Sequence, residues 1–307
     1  MRVLVTGGSG LIGSHVIARL IERGVEVMAL VRRAGAIRAV EALGAKPIEG
    51  DVRDRDAFCA AASGIDGLVH AAALVAARRA YDEFEDVNLG GTIHAVDAAA
   101  RAGARLVHIS STSVYGRRLH AGPVDETFPF ARIARRDFYA RTKRAAEDAL
   151  LRQARAERVH VTVLRPCVVY GERDRLFAAS VARVLRSGIA PLVGAGNNVL
   201  ACVYAGNVAG AVCRALEGDR PTGQAYNVAN DGNLTLRSFA REFAAGLGVG
   251  RLRFVRISPL LAHAGIGVGT GLVRALGPRR YAGTGAAAVR FLTQDNPYIS
   301  TRAREEL

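Results

Sequence analysis

Lysine is nearly absent from this chain. Only Lys46 and Lys143 stand among 42 basic residues, and the rest are arginine. Long apolar runs are missing too: no stretch reaches the roughly 18 uncharged apolar residues of a membrane span. Cysteine is sparse, at Cys59, Cys167, Cys202 and Cys213. No pair of these has metal-ligand spacing, and a chain of this length implies no disulfide framework. The start lacks the n-region and cleavage site of a signal peptide, because Met1 and Arg2 lead directly into an apolar strand pattern. The expectation is a reduced, cytoplasmic protein with no bound metal.

What is present is ample apolar content. Half of the 307 residues are hydrophobic, enough for one large domain or two unequal lobes. The net charge of +14 raises nucleic acid as a partner. The arginines, however, are scattered along helix patterns and never form a block longer than two. That describes a solvated surface with some attraction for anionic ligands, and no nucleic-acid partner is expected.

The first half alternates strand and helix patterns. Short Val, Ile and Leu runs lie at 2–6, 25–30, 46–49, 67–71, 105–110 and 159–165, with amphipathic stretches at 11–23, 34–43, 55–63, 84–102 and 137–157. Strands separated by helices pair in parallel through right-handed crossovers. A sheet covered on both faces has strands that read as unbroken apolar runs, as 3–5 and 161–164 do. The expected fold is a doubly wound α/β (Rossmann) domain over 1–170 with a smaller substrate-binding lobe over 171–307. Strand-like segments at 199–204 and 225–228 extend the sheet or build that lobe.

The first strand runs into Thr6-Gly7-Gly8-Ser9-Gly10-Leu11-Ile12-Gly13. In GxxGxxG between a strand and a helix, Gly7 permits the tight turn and Gly10 lets the backbone approach a pyrophosphate. Gly13 lets helix and strand pack closely. The helix start at Leu11 and Ile12 then offers free N–H groups to the phosphates. An NAD site usually has a carboxylate at the end of the second strand. Here that strand ends Val31-Arg32-Arg33. A guanidinium pairs bidentately with phosphate, so NADP(H) is the preferred cofactor, with Arg32 on its 2′-phosphate and NAD(H) as the alternative.

Tyr139-Ala140-Arg141-Thr142-Lys143 is a YxxxK pattern at the start of a helix. Positions i and i+4 share a face, so phenol and ammonium project together. A free tyrosine titrates near 10 and serves poorly at neutral pH; a neighbouring ammonium lowers that value. A third group is expected at the end of the preceding strand, within Ser110-Ser111-Thr112-Ser113. A hydroxyl there can orient a substrate carbonyl, and several compete for the role.

With these pieces the chain resembles an extended short-chain dehydrogenase/reductase, of the NAD-dependent epimerase/dehydratase superfamily, over nearly its whole length. The carrying motifs are TGGSGLIG at 6–13, GDV at 50–52, HAAA at 70–73, SSTSVYG at 110–116, YARTK at 139–143 and LRPCVVYG at 164–171. The resemblance implies that Ser111 is the catalytic serine beside Tyr139 and Lys143. It implies that Asp51 and Val52 line an adenine pocket, that His70, Ala71 and Ala72 border the diphosphate and ribose, and that Asn88 supports its helix.

Within that superfamily the chain is most like the 3β-hydroxysteroid dehydrogenase, sterol dehydrogenase and ketone reductase branch. Sugar-nucleotide members usually carry an asparagine where Val168 stands and an arginine where Leu200 stands. Tyr204-Ala205-Gly206-Asn207-Val208-Ala209 resembles the steroid-type enzymes. The stretch 258–273 holds sixteen residues without formal charge, counting His263 as neutral, and reads as cover for an apolar substrate. Its glycines weaken an interfacial helix, so contact with a membrane surface is disfavoured. A homodimer through 84–102 and 137–157 is expected, on faces carrying Ala95, Ala98, Ala99, Ala145, Ala146 and Ala149. The alternatives are a nucleotide-sugar epimerase, dehydratase or reductase, and a catalytically inactive NADP-binding regulator. The second would be expected to lose Tyr139 or Lys143.

Overall fold

In the computed structural model seven strands form one parallel sheet. They are β1 (Arg2–Thr6), β2 (Glu26–Val31), β3 (Lys46–Glu49), β4 (Gly67–His70), β5 (Arg105–Ile109), β6 (Val161–Pro166) and a returning strand, Gln224–Val228. Their order is β3-β2-β1-β4-β5-β6 followed by the returning strand, the doubly wound arrangement that the alternating pattern predicts. The structure describes residues 1–75, 79–116, 122–156, 158–175, 177–218, 222–230, 232, 234–258 and 295–307. The stretch 259–273, read above as substrate cover, lies outside them.

The chain divides into two compact units. The first comprises Met1–Arg173, Val203–Ala229 and Tyr298–Leu307 and contains the whole sheet. Helices α1 (Leu11–Glu22), α2 (Ala34–Glu41) and α3 (Arg55–Ala61) follow the first three strands. The second unit comprises the described residues of Asp174–Cys202 and Asn230–Pro297. It has a parallel strand pair, Ile189–Val193 with Arg253–Ile257. Its core is Leu185, Ala190, Ala240 and Ala244.

Alternation along each strand sends neighbouring side chains to opposite faces. Leu4, Leu68, Leu106 and Val161 share a core with Phe58 of α3 and with the later helices, through Ala95, Ala99 and Leu150. These strand residues are fully buried, as a sheet covered on both sides requires.

The helix expected over 84–102 is interrupted. A short turn, α4 (Tyr81–Phe84), leads into a π-helical turn at Glu85–Gly90 before α5 (Gly91–Ala102). A π-turn carries an extra residue and re-aims the side chains within it, commonly at functional sites. Here it accompanies an Asn88 that is buried and bonded to the backbone of Leu74. Next, α6 (Phe138–Arg155) is capped by the Asp137 carboxylate, which accepts from Ala140 N at 3.1 Å. Tyr139, Lys143 and Glu147 follow one another along one stripe of α6, four residues apart.

Candidate active site

The turn after β1 is shaped by two glycines that nothing else could replace. Gly7 has φ +70, and a Cβ there would lie 2.7 Å from the backbone of Ala71 and Ala72. A Cβ on Gly13 would collide with the Gly7 carbonyl. Gly10 caps α1 without a side-chain hydrogen bond. A Cβ on Gly10 would meet only the Gly7 oxygen, at 3.1 Å. The result is a cradle of backbone N–H groups from Leu11 onward, suited to an anion.

Arg32 follows β2 and donates to Asp51 at 3.2 Å, with about half of its side chain exposed. Arg53, which the sequence reading did not single out, grips the same carboxylate through Nε at 3.1 Å and Nη2 at 2.7 Å. Burial works to raise the Asp51 carboxyl, but its hydrogen bonds from Arg53 and Arg32 outweigh this and hold it below the usual carboxylate range. Val52 is buried and contributes its carbonyl, which pairs with His94 at 2.9 Å. Ala71 and Ala72 are partly exposed beside the glycine turn. His70 is fully buried behind them, sharing a hydrogen bond with Thr6 Oγ1 at 2.9 Å.

Three expected residues come together where β5 ends and α6 begins. Ser111 starts a 3₁₀ turn at Thr112–Tyr115, its Oγ accepts from Ser113 N at 3.1 Å, and its hydroxyl works to lower the Tyr139 phenol. Of the competing hydroxyls, Ser110 donates to Glu147 at 2.6 Å, Thr112 and the Ser113 hydroxyl are buried, and Ser111 is the one that acts on the Tyr139 phenol. Lys143 is fully buried and donates to the Ile109 carbonyl at 2.5 Å. Asn88 Nδ2 donates to Thr142 Oγ1 at 3.0 Å, tying the π-turn to α6 beside the lysine.

The charges differ from the sequence expectation in one respect. Burial raises the Tyr139 phenol, Ser111 opposes this, and the net direction is upward. The lowering by Lys143 that the YxxxK spacing suggests is not found. The ammonium points at the Ile109 carbonyl, and burial brings it down to about 8 against the pull of Glu147. Behind it, Glu147 accepts from Ser110 and forms a buried ion pair with Arg165. Arg165 also donates to the Tyr115 hydroxyl at 2.8 Å. The recurrence of a carboxylate four residues past Lys143 was the available signal for Glu147.

Other expectations need correction. Val168 is not buried; its exposure is 37%. Leu200 lies ahead of the strand Cys202–Tyr204 rather than in it and is fully buried, so its side chain meets only protein. Ala95, Ala98, Ala99 and Ala146 are buried within the subunit, leaving only Ala145 and Ala149 partly exposed. No helix among the described residues is long and apolar enough to cross a membrane.

Comparison with known proteins accords with this geometry. Residues 3–229 match the NAD dependent epimerase/dehydratase family. The chain is 33% identical over 311 residues to a 4-hydroxy-2-methyl-3-oxo-4-farnesyl-3,4-dihydroquinoline-1-oxide ketoreductase of Stigmatella aurantiaca, covering 100% of this chain and 91% of that one. It is 32% identical over 263 residues to a 3β-hydroxysteroid dehydrogenase/Δ5→4-isomerase of Mycobacterium tuberculosis, covering 80% of this chain and 70% of that one. Among solved structures it resembles the Thermus thermophilus UDP-glucose 4-epimerase complex with NAD, with a TM-score of 0.68 and 28% identity over 84% of this chain and 86% of that one. The chain therefore belongs to the NAD dependent epimerase/dehydratase family, the extended short-chain dehydrogenase/reductases, and is an oxidoreductase of that family.

Proposed function

We propose that this protein is an NADP(H)-preferring reductase that interconverts an apolar ketone and its secondary alcohol. The observation that carries the reading is that Tyr139 and the buried Lys143 lie one helical turn apart on α6, with Ser111 at the end of β5 acting on the Tyr139 phenol. A dinucleotide fits the donors present. Gly7, Gly10 and Gly13 with the N–H groups of Leu11 and Ile12 would hold its diphosphate, and Ala71 and Ala72 would lie beside it. Asp51 and Val52 would flank the adenine, Arg32 would meet the 2′-phosphate, and Lys143 would reach the ribose. The bound nicotinamide supplies hydride to a carbonyl carbon.

The chain's own residues do the rest. Ser111 donates to the carbonyl oxygen and fixes its direction. Tyr139 gives that oxygen its proton, the step for which a phenol kept protonated by burial is suited. Lys143, four residues on along the same stripe of α6, would hold the ribose and keep the cofactor beside Tyr139.

Support for an apolar substrate comes from three directions. The exposed Val168 stands where sugar-nucleotide members usually offer an amide, and the buried Leu200 leaves no guanidinium where they usually offer one. Two relatives are named for a farnesylated quinoline oxide and for a steroid. An apolar ligand gains about 25 cal/mol per Å² of area removed from water, whereas a diphosphate on the same surface loses hydration without recovering hydrogen bonds. The competing reading, sugar-nucleotide epimerisation, is favoured by the solved epimerase of the same fold. The test offers NADPH with apolar ketones and adds UDP or dTDP as competitors. Consumption of NADPH with a ketone, undisturbed by the nucleotides, supports the first reading. Tight nucleotide binding with no ketone turnover supports the second.

Assembly as a homodimer belongs to the same proposal. The side chains left for it on α5 and α6 include Ile93, which is 44% exposed, and Ala145 and Ala149. Light scattering at micromolar concentration checks it: a mass about twice that of the chain supports the dimer, and a monomer rejects it.

A further inference from the structure

Two histidines occupy the centre of the sheet, and neither is used by the chemistry above. His70 ends β4 and His108 lies in β5, and they are partners in register across the two strands. Both are fully buried. Their rings stack with centroids 5.5 Å apart and an interplanar angle of 24°. Thr6, the residue before the glycine turn, is the register partner of His70 on the other side and bonds its Nδ1. At the far end of this row, His108 Nε2 lies 3.5 Å from Lys143 Nζ.

The row is poorly made as packing. His70 Nε2 and His108 Nδ1 have no hydrogen-bond partner among the described residues. A buried ring nitrogen without a partner is costly, and buried polar groups in native proteins are nearly all satisfied. Phenylalanine or leucine would fill the same volume without that cost. Histidine must therefore contribute something else, and only one of its neighbours lies in the reaction centre.

An ammonium can only donate. A neutral imidazole facing it must present the ring nitrogen that carries a lone pair, so the proton of His108 sits on Nδ1. Burial pushes His108 well below its ordinary range, with the Lys143 charge adding to the shift, so the ring stays a neutral acceptor. We propose that His108 is a positioning residue for Lys143: together with the Ile109 carbonyl it holds the ammonium in place and keeps it charged, while His70 and Thr6 brace the ring against the phosphate turn. This rests on the reading of Lys143 given above. The other charged or titratable groups around the ammonium are Tyr139 and Glu147 on α6 and His70 on β4, with Arg165 on β6 paired to Glu147.

The scarcity of lysine makes the test direct. Protein labelled with ¹³C-lysine gives two side-chain signals, from the exposed Lys46 and the buried Lys143. The Lys143 signal should titrate near 8. In His108→Phe, which keeps a ring but loses the acceptor, its midpoint should fall by about one pH unit. In His108→Gln, which keeps an acceptor but loses the ring, it should stay within about 0.3 of the parent. NADPH binding followed by fluorescence should weaken with rising pH along the same midpoints. A packing role gives the opposite pattern, with the phenylalanine variant normal and the glutamine variant disturbed, and that result overturns the proposal. If His108→Phe does not fold, His108→Leu takes its place. The parent protein alone provides a further check, because ¹⁵N shifts of His108 must show the Nδ1–H tautomer, and an Nε2–H tautomer overturns the assignment. Lys143→Met separates the two levels. Normal NADPH binding and turnover in that variant count against the catalytic reading. Impaired Lys143→Met with an unshifted lysine signal in His108→Phe counts against this inference alone.

Discussion

Ser111, at the end of β5, works against the burial that raises the Tyr139 phenol in the first turn of α6. Tyr139→Phe removes the proton donor and keeps the ring. Turnover should fall about 10²–10⁴-fold, the usual worth of a positioned acid, while NADPH affinity and melting temperature stay near those of the parent. Full turnover in this variant would show that another group protonates the product.

Asp51 is held by two arginines at once. Arg32 has about half its side chain free for a further anion. Arg32→Ala should weaken NADPH by about 1.5–3 kcal/mol, roughly tenfold to a hundredfold, and leave NADH little changed. Fluorescence titration of both cofactors against both proteins measures it. An equal loss for both, or a parent that prefers NADH, contradicts the assignment of Arg32 to the 2′-phosphate.

Lys143 is a charge held in the core at a cost to stability. Its folded-state value is about 8 against an ordinary 10.5, so burial disfavours the charged form. The resulting cost is present in full below about pH 8 and disappears as the pH rises toward 10.5. Lys143→Met, similar in length and uncharged, should therefore raise stability at pH 7 by about 1–3 kcal/mol and abolish most turnover. Denaturant unfolding at pH 7 and pH 10 tests this: the gain should shrink at the higher pH. A destabilised variant at pH 7 contradicts it.

The buried histidines set the acid limit. Burial pushes His70 down to about 3, and His108 also falls far below 6.5. Unfolded, each takes up a proton near 6.5, so the unfolded state binds more protons below that pH. Stability contributed by the neutral rings is present above pH 6.5 and is lost as the pH falls from there. Each ring adds a slope of up to about 1.4 kcal/mol per pH unit. Melting temperature measured from pH 7 to pH 4 should drop, and His108→Phe should lessen the drop. A flat profile over that range contradicts the buried neutral rings.

Much of this was legible in the sequence because local chemistry fixes it. The GxxGxxG turn works only with glycine at Gly7 and Gly13, and the structure shows the backbone collisions that any other residue would cause. The parallel pairing of β1 to β6 follows from alternating apolar runs and crossovers. The i, i+4 spacing placed Tyr139 and Lys143 on one helix stripe. What was not legible depends on side chains meeting across the sheet. Arg53 lies two residues from Asp51 and reads as an ordinary surface arginine until it folds back onto the carboxylate. The π-turn at Glu85–Gly90 has no periodic signature, and it shortens the helix expected over 84–102. Ala95, Ala98, Ala99 and Ala146, assigned to a partner surface, are buried because a small side chain serves close packing inside a subunit as well as between subunits. The direction of the Tyr139 shift depends on where the Lys143 ammonium points, and spacing alone does not give that.

Reduction of apolar ketones with NADPH is tested most directly by NADPH oxidation. It is followed by absorbance with a panel of steroid-like and long-chain ketones, in the presence and absence of UDP and dTDP. The expected result is turnover of at least one apolar ketone, its loss in Tyr139→Phe, and no protection by either nucleotide. Micromolar binding of UDP or dTDP, with no apolar ketone consumed, would contradict it and assign the site to sugar-nucleotide chemistry.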